Sequence, residues 1–177
     1  MKRIISFVLL FSLLTLAAAC KSEKSETVNH EVDIAYFADM GAFPESEIKI
    51  GDSAPEEKQD DDAFFFAEAD NRRSFSNGEF SYYYASDNTV YGIAAFSKCM
   101  GFDIGAISIE VTDALDSQNI EYSSGAPREG EVFFLPENEN RELVTCKKLK
   151  HNLVFVFEDN ALCAVYLGEY EYAANSN

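Results

Sequence analysis

Residues 153–167 read LVFVFEDNALCAVYL, and this stretch decides the fold class. Residues 153–157 are β-branched, aromatic or leucine, with no polar residue on either alternating face. That is the pattern of a strand covered on both sides, in the interior of a sheet or sandwich. Glu158-Asp159-Asn160 supplies the residues of a tight turn, and residues 162–167 resume the apolar run as a partner strand. Working outward, residues 143–149, 80–85 (FSYYYA), 90–96 and 104–111 are further short runs rich in aromatic and β-branched residues. Ser86-Asp87-Asn88 and Gly101 punctuate them. Helical patterning is sparse: residues 53–57 and 111–117 each suit one short turn. The expectation is a mainly β, or α+β, chain of two tandem antiparallel β-meander units packed into one β-rich body with few short helices.

Self-comparison supports the tandem arrangement. Residues 48–57 (IKIGDSAPEE) align with 120–129 (IEYSSGAPRE) at an offset of 72, and residues 64–73 (FFFAEADNRR) with 133–142 (FFLPENENRE) at an offset of 69. Residues 93–96 also match 154–157, and residues 104–109 match 162–167. Shrinking offsets place the length differences in loops, where insertions are tolerated. The organisation expected is a leader at 1–19, a polar tether at 20–33, a first unit at 34–111 and a second at 112–177. Tandem units of this size ending in antiparallel strands resemble β-lactamase-inhibitor-like and outer-membrane assembly lipoprotein modules. Those modules open on a helix pair that this sequence does not display.

Lys2 and Arg3 precede a sixteen-residue apolar run, residues 4–19. A bilayer-spanning helix needs about 20 such residues, so the run suits a signal h-region rather than a permanent anchor. It closes on Leu16-Ala17-Ala18-Ala19-Cys20, which resembles the lipobox of bacterial lipoproteins. The resemblance implies cleavage before Cys20 and acylation of its sulfur, hence an extracytoplasmic domain held at a cell membrane or envelope with the lipid bilayer as a partner. An ordinary secretory signal cut after Ala19 is the other reading. Residues 21–32 (KSEKSETVNHEV) contain almost nothing to bury and read as a flexible tether.

The formal charge is −17, and loss of Lys2 and Arg3 with the leader would take it to −19. Such a field repels phosphates, which excludes nucleic acid as a partner. With Cys20 acylated, Cys99, Cys146 and Cys163 remain, an odd number; Cys146 with Cys163 is the favoured disulfide, and three buried thiols are the alternative. No CxxC is present, so neither a zinc knuckle nor a redox pair is expected. The two histidines, His30 and His151, lack HExxH-type spacing and no G-x-S-x-G offers a serine nucleophile; His151 is expected as an exposed turn residue. The acidic run 56–62 lacks the alternate spacing and turn glycine of a Ca²⁺ loop. The sequence therefore names no catalytic residue, metal ligand or cofactor. Of the aromatic clusters, residues 64–66 are expected in the core, while Tyr82 and Tyr84, on one side of a strand, are the candidate contact surface. These features point to a non-catalytic module binding an envelope protein or surface component. A small-ligand or cation binder and a carboxylate-dependent hydrolase are the alternatives.

Overall fold

The structure, a computed structural model, describes residues 31–56, 64–69 and 72–169. The leader, Cys20, most of the tether and residues 57–63 of the acidic run lie outside the described residues. Along the chain come helix α1 (Ile34–Met40), strands β1 (Phe65–Ala69), β2 (Arg72–Ser76), β3 (Phe80–Tyr84) and β4 (Val90–Ala95), helix α2 (Ser108–Ser117), and strands β5 (Tyr122–Gly125), β6 (Arg141–Cys146), β7 (Asn152–Glu158) and β8 (Ala161–Gly168). The strands form one antiparallel sheet in the order β1-β2-β3-β4-β8-β7-β6-β5. The mainly β expectation holds, with the two meanders continuous in a single sheet.

Each unit is one helix followed by a four-stranded meander, and β4 pairs with β8 to join them. Register makes the duplication visible. In β4 the pairing steps from Tyr83↔Gly92 to Tyr84↔Val90, leaving Tyr91 as an extra residue; in β8 it steps from Val156↔Ala164 to Phe157↔Leu162, leaving Cys163. The two bulges lie 72 residues apart, at equivalent places. With that equivalence Ala94 corresponds to Tyr166, and these two residues face each other across the β4–β8 seam. The approximate two-fold axis relating the units therefore passes between them.

Turn chemistry sets the meanders. Asp159 (φ 49°) and Asn160 (φ 68°) form the two-residue β7–β8 turn, a left-handed pair matched to strand twist. Asn77 Oδ1 accepts the amides of Glu79 (3.1 Å) and Phe80 (2.8 Å) at the β2–β3 turn, with Gly78 at φ 90°. Residues 153–157 are fully buried, as their two-faced apolar pattern requires.

One sheet face, here face A, packs against both helices. Ile34 and Ala38 of α1 and Val111, Ala114 and Leu115 of α2 join Phe75, Tyr82, Ile93, Leu153, Phe155 and Leu167 in the main core. Residues 104–111, expected as a strand and matched to 162–167, instead form a loop with Gly105 at φ 98° running into α2. Glu110 accepts the Ile107 amide (3.3 Å) at the helix start, and the i, i+3, i+4 spacing of Val111, Ala114 and Leu115 buries a helical stripe. α2 therefore runs across residue 111, and the second structural unit opens at Ser108. The match of 93–96 with 154–157 is likewise not structural, since β4 corresponds to β8.

Asp33 caps α1 by accepting the Tyr36 amide (3.0 Å), and Gly41 closes it at φ 71°. Gln118, at the end of α2, ties the helices together. Its Oε1 accepts the Ile34 amide (3.0 Å) and its Nε2 donates to the Val32 carbonyl (2.8 Å). Truncating it leaves two backbone groups unpaired in a partly buried setting. Gln118→Ala should lower stability by about 1–2 kcal/mol and the melting temperature by roughly 3–6 °C, measured by thermal and urea unfolding.

Candidate functional site

Face B of the sheet carries Tyr83, Ala94, Leu143, Val154, Val156, Ala164 and Tyr166, with Tyr91 reaching it from its bulge. Helices do not cover this face. Its cover is the long β5–β6 connection, whose residues Val132, Phe133, Phe134 and Leu135 pack on it, each half-buried.

The contacts are ring on ring. Tyr166 lies across the Gly92/Gly168 pair, and a β-carbon added to Gly168 would come within 2.7 Å of its hydroxyl. Phe134 stacks on Tyr166 with centroids 5.1 Å apart and planes 10° from parallel. Phe133 meets Tyr83 (4.9 Å) and Tyr166 (5.6 Å) edge-on. The Arg72 guanidinium sits 4.4 Å from the Phe133 centroid, and its buried Nε has no hydrogen-bond partner among the described residues. Burial, reinforced by Tyr91, pushes the Tyr83 phenol up to about 12, and burial also raises Tyr91. Both phenols stay neutral at ordinary pH and keep their hydroxyl protons to donate.

Towards the β7–β8 turn the face closes with Arg141 paired to Glu158 across neighbouring strands. Nε and Nη2 both reach Oε1, at 2.7 and 2.5 Å, with the arginine side chain 5% exposed. Over β1 and the serine-lined parts of β2 and β3, away from Tyr83 and Arg72, face B is open among the described residues. Phe65, Ala67 and Ala69 are exposed, and Ser74, Ser76 and Ser81 are half-buried. Phe65, at 71%, is the most exposed large apolar side chain among the described residues.

The residues singled out by sequence fall elsewhere. Tyr82 is no contact surface: it is 2% exposed on face A, stacked on Phe75 (4.9 Å), with its hydroxyl 2.9 Å from Ser46 Oγ. Tyr84 is half-buried beside Phe75, with the Arg73 guanidinium 4.7 Å from its ring centre. The Cys146–Cys163 disulfide is absent. β7 separates their strands, and the two side chains pack on opposite faces of the sheet. Burial pushes Cys146 up to about 12 and Cys163 to about 11, and Cys99 is raised as well, so all three remain unreactive thiols. His151 is buried rather than exposed, against the Gly41 cap of α1, with its Nδ1 unpartnered among the described residues. A shallow cleft of about 460 Å³ opens beside Asp116, Asn119, Ile120, Glu121, Tyr122 and Lys147. Among the described residues no three His, Cys, Asp or Glu side chains converge to hold a metal.

Comparison with known protein families, curated proteins and solved structures finds no match. The face-B arrangement therefore has to be read from its own chemistry.

Two outcomes test this geometry. Gly92→Ala would drive a methyl into the Tyr166 ring, whose Cζ and Cε2 would lie 3.0–3.1 Å away. It should cost about 1–3 kcal/mol, with a smaller loss than the summed single effects when combined with Tyr166→Phe, read from a double-mutant unfolding cycle. Burial, then Lys150, lowers the His151 pKa below 6.5, while Glu169 and Asp39 oppose the shift. The unfolded chain thus binds that proton more readily, and this contribution to stability is lost as pH falls through 6.5. The stability of His151→Gln relative to the parent should improve steadily from pH 7.5 to 5.5 in urea titrations.

Proposed function

We propose that the chain is a lipid-anchored extracytoplasmic binding module that holds an envelope protein or surface component against face B. The leader and Cys20 support the anchoring, since two or more acyl chains hold a domain at a membrane where one does not. The observation that carries the binding reading is the unequal cover of face B. Residues 132–135 roof its centre as far as Tyr83 and Arg72, yet β1 and the serines of β2 and β3 are left open, with Phe65 at 71% exposure on the rim. A large apolar ring standing over exposed alanines and half-buried serines gains by burial against a partner. The neutral phenols of Tyr83 and Tyr91 act there as packing and hydrogen-bonding groups.

A photo-crosslinking side chain at position 65 of the full-length, membrane-expressed protein should give one discrete adduct. The same group at position 148, where the Lys148 side chain is 75% exposed, should not. An alkyne-palmitate label should enter the parent and not Cys20→Ala. Equal adducts from both positions, or no label on the parent, would overturn the respective half of the reading.

A further inference from the structure

The segment roofing face B is a sequence copy of an edge strand. Residues 133–137 (FFLPE) align with 64–68 (FFFAE) at the offset of 69 that also superposes the starts of β6 and β2. In the first unit this segment builds β1, laddered to β2 through Phe65↔Ser76, Phe66↔Phe75 and Ala67↔Ser74. In the second unit Pro136 stands where Ala67 stands, and a proline in mid-strand removes a ladder donor and constrains the residue before it. The edge beside β6 is taken instead by β5, drawn from further upstream, and the displaced copy crosses the sheet face.

How the strap is held is the second observation. Among the described residues the backbone hydrogen bonds of residues 126–139 close within the segment: Glu131 N to Arg128 O (3.0 Å) and Leu135 N to Val132 O (3.3 Å), with Arg128 N on Glu131 Oε2 (2.8 Å). Side chains alone attach it to the sheet, chiefly Phe134 on Tyr166 and Phe133 between Tyr83, Tyr166 and Arg72. A segment without ladder bonds opens at a cost set by those side chains and independently of the sheet. It also lies there against the field of the chain. Glu129, Glu131, Glu137 and Glu139 flank the two phenylalanines in a protein of formal charge −17.

We infer that the strap is an internal occupant of a peptide-binding groove, and that the groove's external ligand is an extended protein segment bearing paired aromatic residues flanked by lysine or arginine. The inference deepens the binding-module reading and rests on it. The sheet presents what such a segment needs: the Tyr166 ring face for one aromatic side chain, the slot between Tyr83 and Arg72 for the other, and the Arg72 Nε, which has no partner among the described residues, for a backbone carbonyl. Basic flanks then gain from the acidic domain what the strap's glutamates lose.

The chain has no tryptophan, so Phe134→Trp gives a single reporter of strap position in the full-length protein. Two synthetic peptides carry the apolar sequence of residues 132–136, one between lysines and one between glutamates; a third, lysine-flanked, has serines in place of both phenylalanines. The lysine-flanked aromatic peptide should shift the tryptophan emission to the red as the strap is displaced. It should bind about tenfold more tightly than the glutamate-flanked one at low salt, with the gap closing at high salt. The serine peptide should do neither. Phe133→Ser/Phe134→Ser, which removes the internal competitor, should bind the same peptide more tightly than the parent. If saturating peptide leaves the reporter's emission unchanged, or the two charge forms bind alike at low salt, the inference fails. Loss of cooperative folding in the double variant would also count against it, because the strap would then belong to the core. If a partner crosslinks at position 65 without moving the position-134 reporter, the binding-module reading stands and the groove assignment falls.

Discussion

The β4–β8 seam is the constraint on which the rest of the structure depends. Antiparallel pairing of two equivalent strands puts their approximate two-fold axis through a pair of equivalent residues, here Ala94 and Tyr166. The pair is one ring and one methyl, so only one of the two units places a tyrosine at the axis. Tyr166 then needs a floor, which Gly92 and Gly168 provide by lacking side chains. Symmetry is broken at its own axis, and the rings of the strap, Phe133 and Phe134, gather on the single tyrosine that results.

The same geometry explains why the two units cover the sheet differently. A strap crossing near a two-fold axis excludes its symmetry mate, so only one copy of the FF-containing segment can lie there. The other must go elsewhere, and it stays at the edge as β1, where Ala67 permits a strand. Face A has no such conflict. Each unit brings its own helix, and Gln118 at the end of α2 hydrogen-bonds to the start of α1. Duplication thus puts one helix from each unit on one face and a strap from the second unit alone on the other.

Much of this fold was legible from local chemistry. Residues 153–157 announced a strand buried on both sides, Glu158-Asp159-Asn160 announced a tight turn, and β3, β4, β6 and β8 stood out by their β-branched and aromatic content. The offsets of 72 and 69 found the repeat because they fell on loops and strand starts with distinctive polar residues. The offsets read from IAAF and IGAISI failed because short apolar runs are interchangeable. Residues 104–111 alternate well enough to pass as a strand. The winning signals were Glu110 reaching back to the Ile107 amide and the stripe of Val111, Ala114 and Leu115. Helix α1, at seven residues, is too short to show a period at all. Tyr82 could not be assigned a side from its triplet, since alternation says that neighbours differ and not which of them is buried. The cysteine pairing failed on topology: a meander separates β6 from β8 by a whole strand, which spacing along the chain does not reveal. The strap was hidden for a related reason. Its phenylalanines read as a copy of residues 64–66, and only Pro136 marked that the copy could not be used in the same way.

The division of labour on face B follows from how its two layers are bonded. The floor is held by ladder hydrogen bonds along β3, β4, β8 and β7 and by the helices beneath, so it can open only with the whole domain. The roof is held by ring contacts of defined geometry, Phe134 stacked on Tyr166 and Phe133 edge-on to Tyr83 and Tyr166. The partly buried Arg141–Glu158 pair links β6 to β7 at the end of the face where the strap runs on into β6. Floor and roof are thus held by different bonds, a hydrogen-bonded ladder below and ring contacts above.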